Sequence, residues 1–404
     1  MKSLKDFEED IYKCSRCALC QSVCPIYKVT LNECCVSKGK FNMLNGIIKG
    51  ELAMTRQAKK YLDLCTQCNA CKNFCPSGID ARKIFIAAKN EYYKKNSQPL
   101  LLRFANSYKV FKTILFLSRI FFGLYRTFKL DKIVNILRPL ILKTGILGKR
   151  LILLNSLASK NIKKSKKNKK NKQTSKKAIY FKGCFNQYIN NDTELAVKDL
   201  LNETGVEFIE KDFECCGISY LHDGDIENFK KLAQTNIKKL DTDADYIITD
   251  CASCFDVLKN YEEYIETKQA KDIAKKITTP VELISQTNFK TKKHLKITIH
   301  KPCHENFDIA KFIKSVENLE YIQAQDYDKC CGFSGKFALQ NQEISREISR
   351  RKAQQFIKTG ADIILTTCPA CILGLEQGLA ETGEQNVPAV MNLFVFLAQY
   401  CTTR

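Results

Sequence analysis

The sequence predicts an α+β multidomain chain, in which a mainly helical N-terminal module is followed by two duplicated α/β cysteine-rich domains. Three observations predict it. Two runs of four cysteines, each closed by proline, lie before Ser77. A set of five cysteines then occurs twice in the second half of the chain. Through both copies, short β-branched segments alternate with helical periods. With 404 residues, 45% of them hydrophobic, the chain can form two or three cored domains. The expected boundaries are 1–98 for the helical module, 99–158 for a basic amphipathic helical segment and 159–177 for a lysine-rich linker. The first cysteine-rich domain then takes 178–290 and the second 291–404.

The N-terminal runs are Cys14, Cys17, Cys20, Cys24-Pro25 and Cys65, Cys68, Cys71, Cys75-Pro76. Two residues between cysteines let the backbone curl so that successive sulfurs reach different iron corners, and the proline turns the chain away. The spacing is that of 4Fe-4S ligation, whereas structural zinc usually takes four ligands from paired knuckles. Each run resembles those of a double-cluster ferredoxin. The ferredoxin rule of crossed ligation implies one 4Fe-4S cube on Cys14, Cys17, Cys20 and Cys75, and a second on Cys65, Cys68, Cys71 and Cys24.

In the second half, Cys184, Cys215-Cys216-Gly217 and Cys251-x2-Cys254 are repeated as Cys303, Cys330-Cys331-Gly332 and Cys368-x2-Cys371, at offsets of 119, 115 and 117 residues. The flanks repeat too: Ala244-Asp245-Tyr246-Ile247-Ile248-Thr249-Asp250 parallels Ala361-Asp362-Ile363-Ile364-Leu365-Thr366-Thr367. Duplication is the simplest origin. Residues 178–181, 246–249, 297–299 and 363–366 read as buried strands, and 192–203, 227–240 and 343–358 as helices with apolar positions at intervals of three and four. This alternation implies mostly parallel sheets. The cysteines then fall on loops at strand ends, where such folds place their sites, with five thiolates within reach of one centre per repeat. The centre is a further cluster or zinc. Cys34, Cys35 and Cys401 lack these patterns and read as ordinary thiols. His300 and His304 flank Cys303, where hydrogen-bonding roles are expected and a proton donor beside the centre is the alternative.

Lysine and arginine outnumber acids 65 to 43, a net charge of +22. Ten of the eighteen residues from Lys160 to Lys177 are lysine, the composition of a solvated linker. With no interleaved aromatics, the run is not expected to bind nucleic acid. Upstream, Leu100–Leu157 is apolar but punctuated by Lys109, Lys112, Arg119, Arg126, Lys129, Lys132, Arg138 and Lys143. No stretch reaches the ~18 apolar residues of a spanning helix. A basic amphipathic helix on an anionic membrane surface is expected; packing on the ferredoxin module or a partner subunit is the alternative. The charged start of the chain has no apolar h-region and thiols abound, so a cytoplasmic location is expected.

The paired Cys-Cys-Gly motifs, each with an upstream cysteine and a downstream C-x2-C, resemble the cysteine-rich domains of heterodisulfide reductase and of several dehydrogenase iron-sulfur subunits. With a double-cluster module in front, the arrangement over residues 1–92 and 178–398 resembles the iron-sulfur subunits of glycolate oxidase and of anaerobic glycerol-3-phosphate dehydrogenase. Ser37-Lys38-Gly39-Lys40-Phe41, Leu44 and Lys49-Gly50-Glu51-Leu52 resemble the glycolate oxidase and lactate-utilisation branch. That branch implies electron transfer for a membrane-associated glycolate or lactate dehydrogenase. The chain shows no dinucleotide or phosphate-loop motif, so hydride transfer falls to an FAD-containing partner, with quinone or another membrane carrier as acceptor. All ten repeat cysteines are present, where many dehydrogenase subunits have lost some. The full set resembles the heterodisulfide reductase binder of a non-cubane 4Fe-4S cluster, which keeps a disulfide-reducing enzyme as the alternative.

Overall fold

The computed structural model describes residues 2–96, 108–137, 141, 150–151, 154–155, 176–188, 192–240, 243–305 and 307–403. Residues 159–175 of the expected linker and much of the 99–158 segment lie outside them, and Lys177, expected in the linker, already belongs to the first strand.

Among the described residues, the first 96 form helices and turns only. Each cysteine run curls through two residues with left-handed backbone, Arg16 and Ala18 at φ 57° and 65°, and Gln67 and Asn69 at φ 58° and 60°. These pairs flank the middle cysteine of each run. Side chains with a Cβ are strained there, by about 1–3 kcal/mol each, so the loop shape must be held by what it wraps. Each loop runs into a short helix, Leu19–Val23 or Ala70–Asn73. Pro25 then starts helix Pro25–Thr30, a position where its missing N–H costs nothing. Helix Ser37–Ile48 passes between the two loops, and helix Ala81–Lys95, capped by Asp80, closes the module.

Each repeat folds around a four-stranded parallel sheet. In the first, β1 (Lys177–Tyr180) lies between β2 (Glu207–Glu210) and β3 (Tyr246–Ile248), with β4 (Ile277–Thr278) outside β3. In the second, β5 (Phe289–Ile299) lies between β6 (Glu317–Tyr321) and β7 (Ile363–Thr366), with β8 (Ala389–Asn392) outside β7. The strand order is the same in both. One strand breaks the parallel rule: β9 (Cys401–Thr403) runs antiparallel to the start of β5, pairing Phe289 with Thr403. That pairing extends β5 to eleven residues, well beyond the apolar run at 297–299.

The helices at Asp192–Thr204, Ile226–Leu240 and Gln342–Ile357 match the periodic segments of the sequence to within one residue at each end. The repeats are not cored separately. Tyr180, Val197 and Leu201 of the first share one buried cluster with Ile299, Leu365 and Phe396 of the second.

The N-terminal module is fastened to both repeats. Ile86 enters the core of the first, and Arg82 forks onto Asp256 at 2.5 and 3.3 Å. At the three-way junction, Asp223 of the first repeat meets Lys59 (3.5 Å) and Tyr93 of the module and Lys336 (2.7 Å) of the second repeat. Buried Lys89 pairs with Asp63 at 3.1 Å and donates to the His222 carbonyl at 2.9 Å. No described helix is long and apolar enough to cross a membrane.

Candidate metal centres

The two N-terminal runs interleave. One cavity is lined by Cys65, Cys68 and Cys71 together with Cys24 of the other run, and the second by Cys14, Cys17 and Cys20 together with Cys75. These are the groupings that crossed ligation requires. Cys20, Ser37 and Cys71 line both cavities, so the two lie side by side. Burial pushes the free thiols of Cys24 and Cys71 up to about 12. Uncharged at neutral pH, they become thiolates only if a cation supplies the missing charge, and coordinated metal does that. The cavities, thiol sets and strained loops all fit 4Fe-4S cubes.

The Ser-Lys-Gly-Lys segment has a structural role that the sequence did not disclose. Ser37 lines both cavities beside Cys71, whose thiol its hydroxyl favours in the charged form. Gly39 has no room for a Cβ, which would sit 2.2 Å from the Glu33 carbonyl oxygen. Lys40 is 1% exposed, reaches the Leu64 carbonyl at 2.8 Å and lies over the Phe85 ring. It is a fixed positive charge on the wall of the Cys65 cavity, suited to an anionic thiolate-ligated centre. Cys35, buried, lines the same cavity, while Cys34 is exposed and Cys401 is buried in β9.

In each repeat the cysteines gather at the carboxyl ends of the strands. Cys184 and Cys251 follow β1 and β3, and Cys303 and Cys368 follow β5 and β7. Between such paired strands the chain departs to opposite sides, leaving the crevice where α/β sheets bind ligands. The C-x2-C cysteines sit on helix starts: Cys251 caps Ala252–Lys259, and Cys368 caps Pro369–Thr382, whose first residue is proline. The Cys368 thiol is held well below its usual range by Cys251 and Cys371 beside it, with the Cys371 N–H at the helix start adding to this, whereas Cys251 is pushed up.

The Cys-Cys-Gly turns are pinned from beneath. Asn236 donates to the Cys215 carbonyl at 3.1 Å and Tyr261 to that of Cys216 at 2.9 Å. In the second repeat Ser349 donates to Cys331 and Ser345 to Gly332, at 2.9 and 3.0 Å. Gly217 and Gly332 have φ 88° and 82°, and an added Cβ would lie 2.8 Å from Phe229 or Ile348. Gly332→Ala should therefore lower stability by about 2–4 kcal/mol, combining left-handed backbone with overpacking. An unchanged midpoint in denaturant titration would refute this.

The structure also joins centres that the sequence treated separately. Within the first repeat, thiol contacts run from Cys184 through Cys215, Cys216 and Cys254 to Cys251. Cys251 touches Cys368 of the second repeat, and the Ser253 hydroxyl lies 3.8 Å from the Cys368 sulfur. The series continues through Cys371, Cys331 and Cys330 to Cys303. Cys330 contacts Cys68 of the N-terminal module. His304 beside Cys303 reaches the Gln67 carbonyl of that loop at 3.0 Å. The order in space is thus the Cys14 cavity, the Cys65 cavity, the second set and then the first. Buried His222, 5.9 Å from His304, is pushed well below its usual pKa, first by burial and then by the charges of His304, Arg82 and Lys89.

Comparison with known proteins agrees with this architecture. Residues 10–79 match the 4Fe-4S dicluster domain family, and residues 178–259 and 297–376 match the cysteine-rich domain family. The chain therefore carries a 4Fe-4S dicluster domain followed by two cysteine-rich domains. Its relatives include iron-sulfur subunits of the glycolate oxidase and lactate-utilisation type. It is 24% identical to the probable glycolate oxidase iron-sulfur subunit of Bacillus subtilis, over 93% of this chain and 90% of that protein. Lactate utilization protein A of Macrococcus caseolyticus is 26% identical over 51% of this chain and 91% of its own length. A subunit of the dihydromethanophenazine:CoB--CoM heterodisulfide reductase of Methanosarcina acetivorans is 24% identical over 50% of this chain and 53% of its own length.

Proposed function

We propose that this chain is the electron-transfer subunit of a membrane-associated, FAD-dependent glycolate or lactate dehydrogenase, carrying electrons from a flavoprotein partner towards quinone. The observation that carries the reading is the succession of four thiol sets from exposed Cys17 to Cys184, the two N-terminal cavities adjoining through the shared linings of Cys20 and Cys71, in a chain similar from end to end to a glycolate oxidase iron-sulfur subunit. Bound clusters supply one-electron carriers. The chain's part is to hold its four thiol sets in order, exclude water from the inner ones and set their charge environment with Lys40 and the helix starts. The eighteen proposed ligands are the two ferredoxin groups and the two repeat sets.

The membrane side of the reading rests on helix Tyr108–Thr127. Its start is seated on the first cysteine set: the Tyr108 hydroxyl accepts from the Cys215 N–H at 3.1 Å, and Lys112 pairs with Glu214 at 3.3 Å. Along the helix, Phe122 and Tyr125 are buried, while Ile114, Phe116, Leu117, Ile120, Phe121 and Leu124 are each about half exposed. At ~100° per residue these six span a face of roughly 160°, with Lys112 and Arg119 along its edge. A broad apolar face with a cationic border suits an anionic lipid surface. The carrier at the membrane then meets the chain beside the first set.

The test is anaerobic mixing of the chain with an FAD-linked 2-hydroxyacid dehydrogenase. Addition of glycolate or lactate should bleach the iron-sulfur absorbance, and the reduced chain should co-sediment with anionic vesicles. Ile120→Asp with Leu124→Asp should abolish co-sedimentation and leave bleaching intact. Bleaching only by a glycerol-3-phosphate flavoprotein would move the chain to that complex. A second reading, disulfide reduction, is favoured by the ten retained cysteines and the Cys251–Cys368 contact; thiol release from a disulfide by the reduced chain alone would establish it.

A further inference from the structure

The two cysteine sets are not equivalent, and one histidine makes the difference. Each leading cysteine is preceded at three residues by an aromatic position, Phe181 before Cys184 and His300 before Cys303. Phe181 is an ordinary core residue, stacked on Phe213 at 4.9 Å. His300 is 0% exposed, yet only half of its ring is satisfied. Its Nδ1 lies 3.2 Å from the Tyr327 carbonyl oxygen. A carbonyl only accepts, so Nδ1 carries the ring proton and Nε2 presents its lone pair. Nε2 has no hydrogen-bond partner among the described residues. A ring nitrogen of His300 and the sulfurs of Cys331 and Cys371 all lie within 4.8 Å of one another.

We propose that His300 Nε2 is a ligand of the metal centre in the second set, beside Cys331 and Cys371, so that this centre has mixed nitrogen and sulfur ligation while the first has thiolate alone. An imidazole that binds metal through one nitrogen and donates its other N–H to a backbone carbonyl is the usual arrangement at metal sites, because the second bond fixes tautomer and ring orientation. The spacing also fits. Ligand atoms around one tetrahedral ion stand roughly 3.5–3.8 Å apart, so the three donors close by about an ångström on binding. Cys330 adjoins Cys331 and Cys368 adjoins Cys371, and either is placed to supply a fourth donor. The site takes a thiophilic cation, either zinc or an iron of an iron-sulfur centre. If iron, replacing anionic thiolate by neutral imidazole raises the reduction potential relative to an all-thiolate centre. The second set, between the N-terminal module and the first set, would then be the more readily reduced of the two. The inference holds whichever complex the chain serves.

The test uses the full-length, anaerobically purified protein with its metal content measured. If zinc is present, its X-ray absorption spectrum should contain imidazole back-scattering that is lost in His300→Phe. If the centre is iron, pulsed EPR should show a nitrogen coupling that changes isotope when histidine alone is labelled with ¹⁵N. Labelling needs no variant, so a misfolded His300→Phe protein leaves that arm intact, and His300→Gln gives a second comparison. His294→Gln, at the exposed histidine, should keep every signal. Three results would overturn the proposal: no imidazole or histidine nitrogen on any metal of the chain, a histidine signal that persists in folded His300→Phe, or a wild-type second set that holds no metal.

Discussion

Cys24→Ala should strip the iron from the site of Cys65, Cys68 and Cys71, forty residues away in sequence, and leave the site of its own run loaded. The reason is the interleaved geometry: Cys24 lines the Cys65 cavity, whereas Cys75 lines the Cys14 cavity. Loss of one thiolate from a four-thiolate cube exposes an iron corner and makes the cluster labile, so the variant should hold about four fewer irons. Cys75→Ala should have the mirror effect. Because Cys68 contacts Cys330, Cys24→Ala should also stop reduction of the repeat centres by a donor acting at the Cys14 end, while Cys75→Ala should not block entry at the Cys65 site. Iron and sulfide analysis with EPR distinguishes the two losses. If Cys24→Ala instead emptied the site of Cys14, Cys17 and Cys20, ligation would be uncrossed and the N-terminal reading wrong.

Asp223→Asn should cost about 1–3 kcal/mol, the penalty for weakening a partly buried charge and hydrogen-bond network in which Lys59 still keeps Asp63 at 2.7 Å. Asp223 accepts from Lys336 at 2.7 Å and from Tyr93, and Lys59, largely buried and donating to Asp63, lies 3.5 Å from it as an ion pair. Lys336 is about one third exposed, so solvent screens its share, and the main loss comes from Lys59 and Tyr93. Burial raises the Asp223 pKa, but Lys59 and Lys336 outweigh it and hold the carboxyl below its ordinary value. A depressed carboxyl stabilises the fold fully above the unfolded pKa near ~3.9 and loses that contribution as pH falls through the lower folded value. The gap between wild type and Asp223→Asn should therefore be constant from about pH 5 to 8 and shrink below about pH 4. Urea titrations across that range read it directly; a gap that widened in acid would contradict the assignment. Because three units of the chain meet at Asp223, the variant should also expose the junction to protease before either repeat unfolds.

Much of the molecule was legible because its chemistry is written in fixed local spacings. C-x2-C-x2-C-x3-C-P announces its ligand loop wherever it occurs, and a repeat of five cysteines at nearly constant offset announces duplicated sheets. The helices at 192–204, 226–240 and 342–357 could be read because each buries one face against a sheet and the 3.6-residue period survives in the sequence. Strands β2, β4, β6 and β8 were not singled out, being two to five residues long or with charges at their ends, and β9 is a strand only because β5 is there to pair with it. The left-handed residues flanking Cys17 and Cys68 carry no glycine signal. Lys40 was legible only as part of the Ser-Lys-Gly-Lys resemblance, since nothing in its local sequence marks a lysine as buried.

By itself, then, the sequence determined the cysteine runs, the duplication, the strand-and-helix alternation and the amphipathic, cation-bordered helix, because each is written in local spacing or in a repeat of it. Only the tertiary structure decided how the sets connect. That Cys68 meets Cys330, that Cys251 meets Cys368, that Asp223 gathers lysines from two other units and that a ring nitrogen of His300 lies within 4.8 Å of the Cys331 and Cys371 sulfurs are consequences of how sheets, helices and loops pack. Residues brought together from opposite ends of a chain leave no periodic trace along it.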